Sequence, residues 1–92
     1  MEEEEDILPL ESKDAEGFKK WILQTMALWL DSSEVLNPDH DFTDCGLDSV
    51  AALRLLGMIE ILLDQPMEPS VFTKYPSPTL LGEHLSELAE VA

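Results

Sequence analysis

Ser49 is the side chain best placed for chemistry, in the stretch Asp44-Cys45-Gly46-Leu47-Asp48-Ser49-Val50, where a loop gives way to a long apolar helix. A hydroxyl at such a junction has two uses. It can cap the helix, its oxygen accepting one of the first free backbone N–H groups. Alternatively Asp48 caps, which leaves Ser49 in the first turn, at the positive end of the helix dipole, where an anionic group attached to it is favoured. The residues alone leave both readings open, with the cap the commoner. Asp48 beside Ser49 does not make an activated nucleophile, because adjacent helix positions do not align a hydroxyl with a base. His40 lacks a nearby Cys or His partner for a metal, and His84, without a nearby Asp or Cys, is expected as a boundary residue or neutral polar contact rather than a catalyst. Asp39, Asp41 and Asp44 resemble the start of a calcium loop, but the places that need glycine and glutamate hold Asp44 and Val50. Cys45 is the sole cysteine, which excludes an intrachain disulfide and a thiolate cluster; between Asp44 and Gly46 it reads as a small buried side chain, not a reactive thiol. The chain contains no dinucleotide or phosphate-binding glycine loop. No metal site and no catalysis by this domain are therefore expected.

The elements that must position Ser49 are legible from periodicity. A first helix is predicted over Asp14 to Leu30, where Phe18, Trp21, Ile22, Thr25, Leu28 and Trp29 recur at three- and four-residue intervals and Leu23, Met26 and Leu30 widen the stripe. At this spacing Trp21 and Trp29 read as core, not as a ligand platform. Asp31 to Asp48 reads as a long ordered loop, broken by Ser32, Ser33 and Pro38 and tied down by Val35, Leu36 and Phe42. A second helix is predicted from Ser49 to Leu63. Ala52, Leu55, Leu56, Ile59, Leu62 and Leu63 form its core side, and Val50, Leu53 and Gly57, next to Arg54 and Met58, form a second side that either meets a partner or packs under a neighbouring helix. A short helical turn near Ser70 to Thr73 lets Val71, Phe72 and Tyr75 close the core beside Ser49. Ser77 then caps a last amphipathic helix with Pro78 in its first position and Leu80, Leu81, His84, Leu85 and Leu88 along it. The expected fold is all-α, a small four-helix bundle with a long first loop and a short third helix. Residues 1–12 form an acidic, flexible lead-in and 13–92 the single domain.

Charge narrows the partners. Twenty acidic against five basic residues give a formal charge of -15, a field that repels nucleic-acid phosphates and anionic lipid heads and favours basic protein surfaces; solubility alone explains it equally well. The acidic start is unlike a secretory signal, and the apolar run Leu53 to Leu63, interrupted by Arg54 and Glu60, is too short to cross a bilayer. A cytoplasmic protein, not inserted in membranes and not bound to nucleic acid, is expected.

From Phe18 to Leu88 the chain resembles the acyl carrier and peptidyl carrier family. Gly46-Leu47-Asp48-Ser49-Val50 is similar to the family's attachment motif, with Val50 in place of the commoner leucine. Phe42 stands at the upstream spacing, and Phe72-Thr73-Lys74-Tyr75-Pro76-Ser77-Pro78-Thr79-Leu80 resembles carriers of modular polyketide or mixed polyketide and nonribosomal peptide synthases. The resemblance implies a 4'-phosphopantetheine arm on Ser49, transferred from coenzyme A by a magnesium-dependent phosphopantetheinyl transferase, with an acyl intermediate held as a thioester on the arm's thiol. This reverses the preference for a cap at Ser49. It further implies that Asp48 belongs to the attachment motif, orienting the loop or meeting a basic transferase surface. Val50 and Leu53 fall at positions that family partners contact, with Gly57 farther along that face.

Arg54 stands where many acyl carriers have an acidic residue, a departure more common in peptidyl carriers, whereas Asp48 leans toward acyl carriers. The resemblance thus implies a non-catalytic carrier of polyketide-like intermediates, served by acyl-loading, ketosynthase or other synthase enzymes; no dimer interface is evident in the sequence, and a monomer is expected. The alternatives are an aminoacyl or peptidyl carrier of a nonribosomal peptide synthase and a non-modified interaction domain that keeps the carrier fold.

Overall fold

The computed structural model describes residues 7–29 and 36–91. Among them are four helices and no strand: α1 (Ala15–Trp29), α2 (Ser49–Leu63), α3 (Val71–Lys74) and α4 (Pro78–Val91). This is the predicted all-α bundle with its long first loop and short third helix. Leu30, Ser32, Ser33 and Val35 lie outside the described residues, as do residues 1–6 of the lead-in.

The three long helices each start where a side chain takes a free amide. Asp14 caps α1: its Oδ1 accepts from the Gly17 N–H at 2.8 Å and from the Ser12 hydroxyl at 2.9 Å. These bonds, the Gly17 amide first, hold the Asp14 carboxyl below its ordinary range. Ser77 caps α4, its Oγ accepting from the Leu80 N–H at 3.3 Å, and Pro78 follows as the first helical residue. At its far end α2 is closed by Asp64 in the left-handed region (φ 56°), with its N–H on the Glu60 carbonyl. Glu60 Oε2 then takes the Met67 N–H at 2.9 Å, fixing the exit loop.

The core is built by Phe18, Trp21, Ile22 and Met26 of α1, Leu55, Leu56, Met58 and Ile59 of α2, Val71 of α3, Leu81 and Leu85 of α4, and two loop residues, Phe42 and Leu47. Helices α1 and α4 approach so closely at Gly82 that a Cβ there would stand 3.0 Å from the Ala15 carbonyl oxygen and the Lys19 nitrogen. Backbone atoms cannot move aside as a side chain can, which explains a glycine inside a helix at this place.

Several expectations are corrected. Residues 7–12 of the predicted flexible lead-in run against the bundle: Ile7, Leu8 and Leu10 pack on the core, and the Leu8 carbonyl accepts from Trp21 Nε1 at 2.8 Å. The indole N–H needs an acceptor once buried, and the crossing lead-in supplies it. Leu28, expected on the buried stripe, is 67% exposed, and Leu80 of α4 is exposed as well. Met58, placed beside the exposed side of α2, is buried; three residues after Leu55, it shares that residue's face. Thr25 is buried as the stripe requires, but its hydroxyl has no hydrogen-bond partner among the described residues, at a cost of about 1–3 kcal/mol.

Candidate functional site

The loop before α2 is folded tightly on itself. Cys45 N–H bonds back to the Asp41 and Phe42 carbonyls at 3.1 Å, Gly46 N–H to Thr43 at 3.0 Å, and Leu47 N–H to Phe42 at 3.0 Å. Gly46 has φ 96°, a conformation that side-chain-bearing residues rarely adopt, so glycine is what lets the chain reverse just before Leu47 is buried. From Leu47 the chain enters α2 through Asp48.

Asp48 is the cap. Its Oδ1 accepts from the Ala51 N–H at 2.8 Å and its carbonyl from the Ala52 N–H at 2.8 Å. The capping alternative for Ser49 is thereby set aside: Ser49 is the first helical residue, exposed, at the end of α2 where the peptide dipoles leave partial positive charge. Asp48→Ala should cost about 1 kcal/mol of stability, measured by urea unfolding, whereas Asp48→Asn, which keeps an acceptor oxygen, should cost little.

Next to Ser49 lies an open groove of about 550 Å³ between the first loop, the start of α2 and α3. Phe42, Leu47, Ala52, Phe72 and Pro76 give it apolar walls, and Thr43, Thr73, Asp41, Asp48 and Ser49 supply polar groups. Phe42 and Phe72 meet edge to face with ring centres 5.3 Å apart, and Phe42 N–H bonds to the Pro76 carbonyl at 2.7 Å, so the groove's two sides are joined at its floor.

Along α2, Val50 is 76% exposed and Leu53 56%, and a Cβ at Gly57 would have nothing within 4 Å. The side of α2 that carries them is thus open. Ile61, one turn beyond Gly57 and 69% exposed, continues the same line, a site residue that its spacing of eight from Leu53 signals in the sequence. Arg54 is not a loose charge on this side: its guanidinium lies over the Trp29 ring at 4.7 Å, which ties the end of α1 to α2.

The other reactive side chains have contacts of their own. Cys45 is half-buried, not buried as expected, because the 42–46 turn carries it at the surface with Sγ 3.8 Å from the Asn37 carbonyl. Burial first, then the charges of Asp44 and Asp41, push its thiol above the ordinary value, so it remains protonated at neutral pH. His84 stacks on Tyr75 with ring centres 4.1 Å apart, and His40 faces the Asn37 amide at 3.4 Å. Among the described residues no group of three or more His, Cys, Asp or Glu could hold a metal ion, and no helix is long and apolar enough to cross a membrane.

The phosphopantetheine attachment site family matches residues 20–85. Two phenolphthiocerol synthesis polyketide synthases type I, one from Mycobacterium tuberculosis whose name marks it as inactive and one from Mycobacterium bovis, are each 30% identical over 56 residues, or 61% of this chain. The chain spans only 4% and 3% of their lengths. The crystal structure of a free-standing peptidyl carrier protein from an uncharacterized Acinetobacter baumannii secondary metabolic pathway matches with a TM-score of 0.75 and 32% identity, over 88% of this chain and 100% of that one.

Proposed function

This chain belongs to the phosphopantetheine attachment site family, and from that premise we propose that Ser49 bears the 4'-phosphopantetheine arm. The family is one of carrier domains, generally non-catalytic, and the chain's likeness to polyketide synthase regions and to a peptidyl carrier supports carriage in secondary metabolism. The observation that carries the assignment to Ser49 is the division of labour at the start of α2: Asp48 caps, so the Ser49 hydroxyl is exposed and uncommitted.

The residues present fit the group. A phosphodiester on Ser49 Oγ would stand at the N-terminal end of a 15-residue helix, where negative charge is favoured. The groove that opens beside Ser49 offers apolar walls and two threonine hydroxyls to an arm of mixed character. When bound, the group supplies a thiol that holds an acyl unit as a thioester. The chain's own part is to present the serine, tether the cargo and so raise its concentration at each enzyme.

In this reading the domain itself performs no catalysis, acts as a monomer in the cytoplasm, and receives its arm from coenzyme A through a magnesium-dependent phosphopantetheinyl transferase. Val50, Leu53, Arg54 and Gly57 form the side on which the transferase and the synthase enzymes dock, and the formal charge of -15 draws basic surfaces toward it. The polyketide synthase relatives favour an acyl cargo. A second reading has its own support: the peptidyl carrier match extends over 88% of the chain, and Arg54 departs from the acyl-carrier pattern, which favours an aminoacyl cargo loaded by an adenylating enzyme.

The test is intact-protein mass after incubation with coenzyme A, magnesium and a broad-specificity transferase. One arm-sized increase is expected. No increase, with a known carrier modified alongside, would favour a non-modified interaction domain instead.

A further inference from the structure

Two stretches far apart in the chain meet beside the loop that carries Ser49. Thr79, in the first turn of α4, donates its backbone N–H to the Pro38 carbonyl at 3.0 Å and its hydroxyl to Asp39 Oδ1 at 2.9 Å, a bond across 40 positions of sequence. Three residues earlier, the Pro76 carbonyl takes the Phe42 N–H at 2.7 Å. The loop extends this contact inward. Asn37 Oδ1 accepts from the Asp39 N–H at 2.9 Å, and the Asn37 carbonyl accepts from the His40 N–H at 3.1 Å and lies 3.8 Å from Cys45 Sγ. Cys45 adjoins the Gly46 reversal, which leads through Leu47 and the Asp48 cap to Ser49. A set of hydrogen bonds therefore runs from the start of α4 to Cys45, four residues before Ser49.

The described part of the loop, residues 36–48, belongs to no helix, so its place relative to α2 depends on such contacts. Asp39 is exposed and Thr79 only half-buried, and water competes for a bond of that kind, so it adds little to global stability. Its effect is on geometry: it adds a third tie to the backbone bonds at Pro38 and Phe42 that hold the loop against the α3–α4 junction, and it is the one of the three that fixes a side chain of the loop. A transferase needs the serine oxygen within reacting distance of its donor, and small misplacements of a reacting atom slow such a step sharply.

From this arrangement we infer that Asp39 and Thr79 are positioning residues, whose hydrogen bond holds the attachment loop in the register in which the transferase accepts Ser49. The inference rests on the Ser49 reading above. Asp39 could instead act as a plain negative charge toward a basic transferase, and Asp39→Asn separates the two roles, since it keeps an acceptor oxygen and removes the charge.

The experiment compares initial rates of arm transfer from coenzyme A by a broad-specificity phosphopantetheinyl transferase, onto the parent protein, Thr79→Val, Thr79→Ser, Asp39→Ala, Asp39→Asn and the Thr79→Val/Asp39→Ala pair. All are measured well below their unfolding midpoints, with S49A as the blank. Loss of one hydrogen bond should lower kcat about three- to tenfold in Thr79→Val and Asp39→Ala, with KM changed less than about twofold. Thr79→Ser and Asp39→Asn should recover the parent rate, and the pair should be no slower than either single variant, because both remove the same bond. Three results would each overturn the inference: Thr79→Val within about twofold of the parent, Asp39→Asn as slow as Asp39→Ala, or losses that multiply in the pair. A parent labelled at Ser49 beside an unaffected Thr79→Val removes the positioning role alone, whereas an unlabelled parent overturns the Ser49 reading and this inference with it.

Discussion

Ser49→Ala should abolish arm attachment completely while leaving the fold intact. The two halves of that result come from separate observations. Ser49 is exposed and Asp48, not Ser49, takes the free Ala51 N–H at the start of α2, so removing the hydroxyl breaks no structural bond. Alanine is also the strongest helix former, and a surface change of this type alters stability by less than about 0.5 kcal/mol. Far-ultraviolet circular dichroism and the urea midpoint should therefore match the parent. The chemical half is all or nothing, because without Oγ no phosphodiester can form at that position. The informative controls are Thr43→Ala and Thr73→Ala, which remove the two threonine hydroxyls that border the same groove. Both should gain the arm as the parent does, and digestion of the modified parent should place the added mass on the peptide containing Ser49. An arm-sized gain in S49A, or its loss in Thr43→Ala or Thr73→Ala with S49A unaffected, would move the site elsewhere in the groove.

The sequence made the helical elements of this site readable because their signals are local. The span of α2 follows from a capping acid, an apolar period and the break at Asp64-Gln65-Pro66; the start of α4 follows from Ser77 and Pro78. What stayed hidden depends on contacts between distant residues. Neither a period nor a motif indicates that Arg54 lies on Trp29, that Thr79 reaches Asp39, or that Leu8 turns its carbonyl to Trp21. Burial misjudgements have the same origin. Leu28 has the spacing of a core residue, yet it falls where α1 is left uncovered, while Met58 reaches the core from the flank of its stripe. The choice between Ser49 and Asp48 as cap was undecidable from the two side chains, since either oxygen reaches an amide of the first turn. Only the path of the loop selects Asp48.

That path is itself anchored in the core, and Trp21→Ala should cost about 3–5 kcal/mol, the largest loss of stability expected of a single substitution in this chain. Trp21 is 1% exposed and packs with Phe18, Ile22 and Met26 at the centre of the bundle. Truncation removes the largest fully buried side chain and leaves a cavity that backbone-limited contacts such as Ala15 and Lys19 against Gly82 resist collapsing. It also removes the N–H that holds the Leu8 carbonyl, which leaves residues 7–10 held by the packing of Ile7, Leu8 and Leu10. Small domains are stable by only about 5–15 kcal/mol, and one of this size falls near the lower end, so the loss approaches the whole. Trp21→Phe separates the two contributions, since it keeps most of the bulk and deletes the hydrogen bond. It should cost about 1–2 kcal/mol, the scale of one buried hydrogen bond plus a small void. Guanidinium unfolding followed by circular dichroism gives both values. If Trp21→Ala cost less than Trp21→Phe, the indole would not be the centre of the core. If the two cost the same, the Leu8 bond would account for the loss and packing would not.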